Sequence, residues 1–125
     1  MKKKILLIDD EEIVLKSIAK LLIREGYEVI ACRSGTEAID QAKSEAVDLI
    51  VCDVRMPQLN GIETVRRIRD LIKSSTKKPT PEILITGYAD QMANREIESL
   101  QVAEYLYKPF DLRDFLGAVK KALKT

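Results

Sequence analysis

Five short apolar runs, most of them followed by a longer stretch with helical spacing, constrain this chain more than any other feature. The first run is Lys4-Ile5-Leu6-Leu7-Ile8, apolar on both faces as a central strand of a parallel sheet must be. Glu11 to Glu25 follows, with apolar residues at 14, 18, 21 and 22 on one helix face, and Gly26 stands where a left-handed cap suits glycine. Tyr27 to Cys32 reads as the second strand and Thr36 to Ser44 as a short helix with Ala38, Ile39 and Ala42 inward. Asp48 to Cys52 is the third strand, and Met56-Pro57-Gln58-Leu59-Asn60-Gly61 a loop by its Pro and Asn-Gly content. Ile62 to Ile72 is helical, with Ile62, Val65, Ile68 and Ile72 on one face, and Lys73 to Pro81 is a polar, proline-bearing linker. Glu82 to Thr86 and Ala103 to Tyr107 are strands four and five; Ala89 to Leu100 and Leu112 to Leu123 are the last two helices.

Strands alternating with helices imply right-handed crossovers and a parallel sheet covered on both faces. Five such units are too few for an eight-stranded barrel. The expected fold is therefore α/β, a flavodoxin-like doubly wound (βα)5 with a five-stranded parallel sheet in the order 2-1-3-4-5, forming one domain over residues 1–125. Lys plus Arg number 21 and Asp plus Glu 20, so no basic excess supports direct nucleic-acid binding. No apolar run approaches the ~18 residues of a membrane span. The stretch after the basic Met1-Lys2-Lys3-Lys4 runs only from Ile5 to Ile8, too short for a signal-peptide core, so a cytoplasmic location and no membrane partner are expected. Cys32 and Cys52 have no metal-ligand spacing and read as small buried hydrophobes. The chain has no histidine, which removes Ser-His-Asp and Cys-His catalysis and His-ligated metals.

Polar residues collect at the carboxyl ends of the strands: Asp9 and Asp10 after the first, Asp53 after the third, Thr86 ending the fourth and Lys108 after the fifth. That edge is where open α/β sheets form ligand sites, at the point where strand order reverses. Taken singly, each has a plain structural reading. Acids suit a helix N-terminus, which accounts for Glu11 and Glu12; Asp53 reads equally as a turn residue, Thr86 as a strand end and Lys108 as a solvated lysine. Together they read differently. Like charges ~4 Å apart repel by about 4 kcal/mol at an effective dielectric of 20, so three converging carboxylates need a cation or shifted pKa values. Oxygen ligands without His or Cys favour a hard ion, Mg²⁺ first.

Five segments stand out together: Ile8-Asp9-Asp10-Glu11, Val51-Cys52-Asp53-Val54-Arg55-Met56-Pro57, Asn60-Gly61, Ile85-Thr86-Gly87-Tyr88 and Tyr107-Lys108-Pro109-Phe110. Through these motifs the chain resembles the receiver domains of two-component response regulators. The resemblance implies that Asp53 accepts a phosphoryl group from the phosphohistidine of a sensor histidine kinase or histidine phosphotransfer protein. It implies Mg²⁺ bound by Asp10, Asp9, Asp53 and the backbone carbonyl of Arg55, with Thr86 and Lys108 each meeting a phosphoryl oxygen. Tyr105 stands at the switch aromatic, Arg55 and Tyr88 at positions that tune phosphoryl lifetime. The surface of the fourth helix, fifth strand and fifth helix would act on a downstream effector domain or protein, and dimerisation through that surface stays open. The implied role is a switch, not a turnover enzyme. The stretch from Leu71 to Glu82 is longer than the family's usual one, and Asn60 stands where the family often has Asp. Three alternatives compete: a Mg²⁺-dependent phosphohydrolase with an aspartyl nucleophile, a flavin-binding electron carrier on the same topology, and a degenerate receiver that only docks. The first wants its nucleophile after strand one, and the second wants a phosphate-cradling loop where Asp9-Asp10-Glu11-Glu12 would repel phosphate.

Overall fold

The structure, a computed structural model, describes residues 2–75, 78–87 and 98–124. It begins with β1 (Lys4–Ile8) and α1 (Glu12–Arg24), then β2 (Glu28–Cys32), α2 (Gly35–Ser44), β3 (Leu49–Asp53) and α3 (Gly61–Lys73). β4 (Glu82–Thr86), β5 (Glu104–Tyr107) and a C-terminal helix (Leu112–Leu123) follow. All strands pair in parallel in the order β2-β1-β3-β4-β5, as the strand–helix alternation predicts. Of the helix expected over Ala89 to Leu100, residues 98–100 are helical and 89–97 lie outside the described residues. Among the described residues no helix is long and apolar enough to cross a membrane.

Period-two alternation divides the strands between two cores. Leu6, Ile8, Ile50, Cys52 and Leu84 face α2 and α3, packing with Ala38, Ile62, Val65 and Ile68. Ile5, Leu7, Val51 and Ile83 face the other way, against Leu15, Ile18 and Leu22 of α1 and Phe115 and Val119 of the C-terminal helix. The inner strands are apolar on both faces because both faces are covered.

Helix starts follow local chemistry. Ser34 Oγ accepts from the Glu37 amide at 3.1 Å and Asn60 Oδ1 from the Glu63 amide at 2.9 Å, so α2 and α3 each begin one residue before the expected point. After α1, Gly26 takes φ +97°, the left-handed cap its position predicts. The third strand begins at Leu49 rather than Asp48 and runs through Asp53. Asp48 instead clamps the start of β1, its carboxylate accepting from the Lys4 amide at 2.8 Å.

Candidate functional site

Parallel pairing carries the chain past the strand ends in register, and this places the polar residues. The Asp9 amide donates to the Cys32 carbonyl at 3.1 Å, Val54 to Ile85 at 2.8 Å and Lys108 to Thr86 at 2.7 Å. Asp9, Asp53, Thr86 and Lys108 therefore share one edge of the sheet.

Carboxylate oxygens of Asp9, Asp10 and Asp53 lie within 4.8 Å of one another. Asp9 is 2% and Asp53 4% exposed, while Asp10 is half-buried. Lys108 Nζ donates to Asp53 Oδ2 at 3.3 Å. Backbone amides orient both buried acids: Glu11 N–H donates to Asp9 Oδ1 at 2.9 Å and Arg55 N–H to the Asp53 carboxylate. Thr86 is fully buried at the same edge, its hydroxyl donating weakly to the Gly87 carbonyl at 3.4 Å rather than to Asp53. Tyr105 is 43% exposed and meets Tyr107 edge-on, with ring centroids 5.5 Å apart. The Arg55 side chain lies exposed at the rim, and Tyr88 lies outside the described residues. The Lys108–Pro109 peptide is cis.

One residue of the site was legible only as a turn. Gly61 starts α3 directly against the end of β3, its amide donating to the Val54 carbonyl at 2.8 Å. A Cβ there would overlap the Asp53 carbonyl and come within 2.8 Å of Val54 Cα, so only glycine lets the helix seat so close to Asp53. The Asn-Gly pair was the available signal, but its spacing says nothing of how closely α3 approaches.

A family model for the response regulator receiver domain matches residues 5–120. The chain belongs to this family. It is 36% identical over 124 residues to the alkaline phosphatase synthesis transcriptional regulatory protein PhoP of Bacillus subtilis, covering 99% of this chain and 50% of that protein. It is 29% identical over 123 residues to the polar-differentiation response regulator DivK of Brucella ovis, covering 98% of each. A CheY-like receiver domain from Methanospirillum hungatei superposes with a TM-score of 0.89 at 27% identity, over 99% of this chain and 95% of that one. The chain spans about half the length of the transcriptional regulatory proteins it matches. Membership places this receiver domain in two-component signalling, whose members are switches rather than turnover enzymes, and sets aside the phosphohydrolase and flavin readings.

Receiver domains bind Mg²⁺ at an acidic pocket, and the residues here fit such an ion. The donors are hard carboxylate oxygens, and one ammonium group opposes three acids. The one thiol nearby points elsewhere: Cys52 Sγ meets the Asp53 backbone carbonyl at 3.4 Å. Burial pushes that thiol well above its usual range and the Cys32 thiol to about 12, so both cysteines are inert hydrophobes, as expected.

Burial likewise raises Asp9, and it raises Asp53 to about 6 despite the opposing pull of Lys108, with Asp9 adding repulsion. Burial alone would lower Lys108, but Asp53, Asp9 and Glu11 outweigh it and hold the ammonium form. The sign for stability follows. Between pH 4 and 6 the folded chain binds more protons at Asp53 than the unfolded chain does, so stability falls as pH rises through that window. Without divalent cation, the Asp53 contribution should fall by about 2–3 kcal/mol from pH 4 to 7. Urea melts at the two pH values should show that slope reduced in Asp53→Asn; an identical slope would remove Asp53 as its source.

Proposed function

We propose that the chain is a phosphorylation-activated switch in which Asp53 is the phosphoryl acceptor. The observation that carries this reading is the convergence of Asp9, Asp10, Asp53 and Lys108 at one edge of the sheet. Asp53 attacks phosphorus, a bond to its carboxylate oxygen forms, and the bond from phosphorus to the imidazole nitrogen of a partner's phosphohistidine breaks. We read the donor histidine as that of a sensor kinase or phosphotransfer protein. Asp9, Asp10, Asp53 and the Arg55 carbonyl would hold Mg²⁺, which supplies charge neutralisation for an anionic nucleophile meeting an anionic group. Lys108, already 3.3 Å from Asp53, pairs with a phosphoryl oxygen once the acceptor is modified.

Thr86 supplies the coupling. Among the described residues its hydroxyl makes only a long bond at 3.4 Å, so a phosphoryl oxygen offers it a stronger partner. Turning toward that partner vacates space beside β5, which the exposed Tyr105 then fills. A local charge change thereby biases a two-state surface that controls an effector domain or protein. The switch is read as one cytoplasmic domain without direct nucleic-acid contact. Acetyl phosphate with Mg²⁺ should add one phosphoryl group by intact mass, and chelation with EDTA should prevent it. No adduct in Mg²⁺ would overturn the reading.

Arg55 and Tyr88, each two residues past a site residue, are proposed to shield the phosphoryl group from water. Arg55→Ala and Tyr88→Ala should each shorten the phosphorylated half-life by about threefold, a barrier change under ~1 kcal/mol. Half-lives equal to the unaltered chain's, measured by loss of the adduct, would refute this shielding.

A further inference from the structure

We propose that the end of the sheet opposite the phosphoacceptor edge holds a binding site for a small organic anion with an apolar body. A cavity of about 500 Å³ opens there, within the range of small-molecule sites. It sits at the start of β4, roughly 13 Å along the strand from Thr86, so it is separate from the acidic pocket.

Its walls combine two chemistries. Ile72, Pro79, Pro81, Ala103 and Ala122 supply apolar surface, and the two prolines are fixed in φ, which lowers the cost of ordering that wall around a ligand. The charged groups are Arg69, Glu82, Lys73 and Lys124. Arg69 and Glu82 neutralise each other at 2.8 and 3.0 Å. Lys73, from the end of α3, and Lys124, past the C-terminal helix, both line the cavity and form no ion pair among the described residues. Lys73 is not needed to cap its own helix: the Asp70, Leu71 and Ile72 carbonyls already accept from Ser74 and Ser75. Lys78, next to the lining residue Pro79, adds a further positive charge in sequence. Apolar walls with uncompensated cations select an amphipathic anion, such as an aryl or acyl carboxylate or sulfonate. This inference does not depend on the phosphoryl chemistry.

Anilinonaphthalene sulfonate serves as the probe, titrated into the full chain and followed by backbone amide NMR. Saturable shifts are expected at Ile72, Ala103, Ala122 and Lys124. The neutral analogue phenylnaphthylamine should bind more weakly, and the surface double variant K73E/K124E should bind the sulfonate roughly tenfold more weakly. Shifts centred elsewhere, equal affinity for the neutral analogue, or unchanged affinity in the double variant would overturn the proposal. So would the same shifts, at equal affinity, from an oligoglutamate peptide, which would mark an acidic protein segment as the occupant.

Discussion

Asp53→Ala, incubated with Mg²⁺ and acetyl phosphate, is expected to show no phosphoryl adduct where the unaltered chain gains one. On the role proposed for Asp53 the effect is all-or-none, because the substitution removes the attacking oxygen rather than a stabilising contact. Asp9 does not replace it: its Oδ1 accepts the Glu11 amide at 2.9 Å, and the Lys108 ammonium bonds to Asp53 Oδ2. Misfolding is a poor explanation for such a loss. Burial and repulsion from Asp9 hold Asp53 near pKa 6, so removing its charge relieves a cost to the fold. Thermal melts at pH 7 without divalent cation should find Asp53→Ala at least as stable as the parent. Lys108→Ala is the graded counterpart: it keeps Asp53, the proposed nucleophile, and loses one preorganised cation, which should slow transfer on the order of 10²-fold. An adduct that persists in Asp53→Ala would place the acceptor elsewhere.

The second large effect lies at the other end of β4. Arg69→Ala is expected to cost about 2–4 kcal/mol in urea or thermal unfolding. Arg69 makes a two-pronged contact with Glu82, Nε to Oε2 at 3.0 Å and Nη2 to Oε1 at 2.8 Å, and donates from Nη1 to the Leu100 carbonyl at 2.6 Å. Glu82 is 5% exposed, so without Arg69 its carboxylate stays buried and unpaired. Arg69 is about a quarter exposed, which admits some water and trims the penalty. The double variant Arg69→Met, Glu82→Leu should recover most of the loss, since apolar groups of similar volume often replace a buried pair at little cost. A deficit under ~1 kcal/mol would show that water already screens the pair.

Neither Arg69 nor Glu82 stands out in the sequence, and the reason is instructive. Arg69 lies within an amphipathic run as an ordinary polar-face residue, and Glu82 opens a strand that otherwise reads Ile-Leu-Ile-Thr. Their contact spans 13 residues and depends on how α3 lies over β4. Gly61 was legible as a turn residue, yet its contact with Asp53 depends on the seating of α3 against β3. Asp9, Asp10, Asp53, Thr86 and Lys108 were legible because each directly ends or follows an apolar run, and a parallel sheet brings such positions to one edge whatever the helices do.

By itself, then, the sequence determined the order of strands and helices and the edge where the acids meet. Those follow from local periodicity and from the right-handed crossover, which holds for nearly every parallel strand pair. Only the tertiary structure decided which groups touch. The Lys108–Asp53 contact, the elevated Asp53 carboxylate, the Arg69–Glu82 pair and the basic, apolar-walled cavity arise between residues far apart in the chain. Their distances and burial are set by strand register and by close packing, and neither is written in the spacing of any one segment.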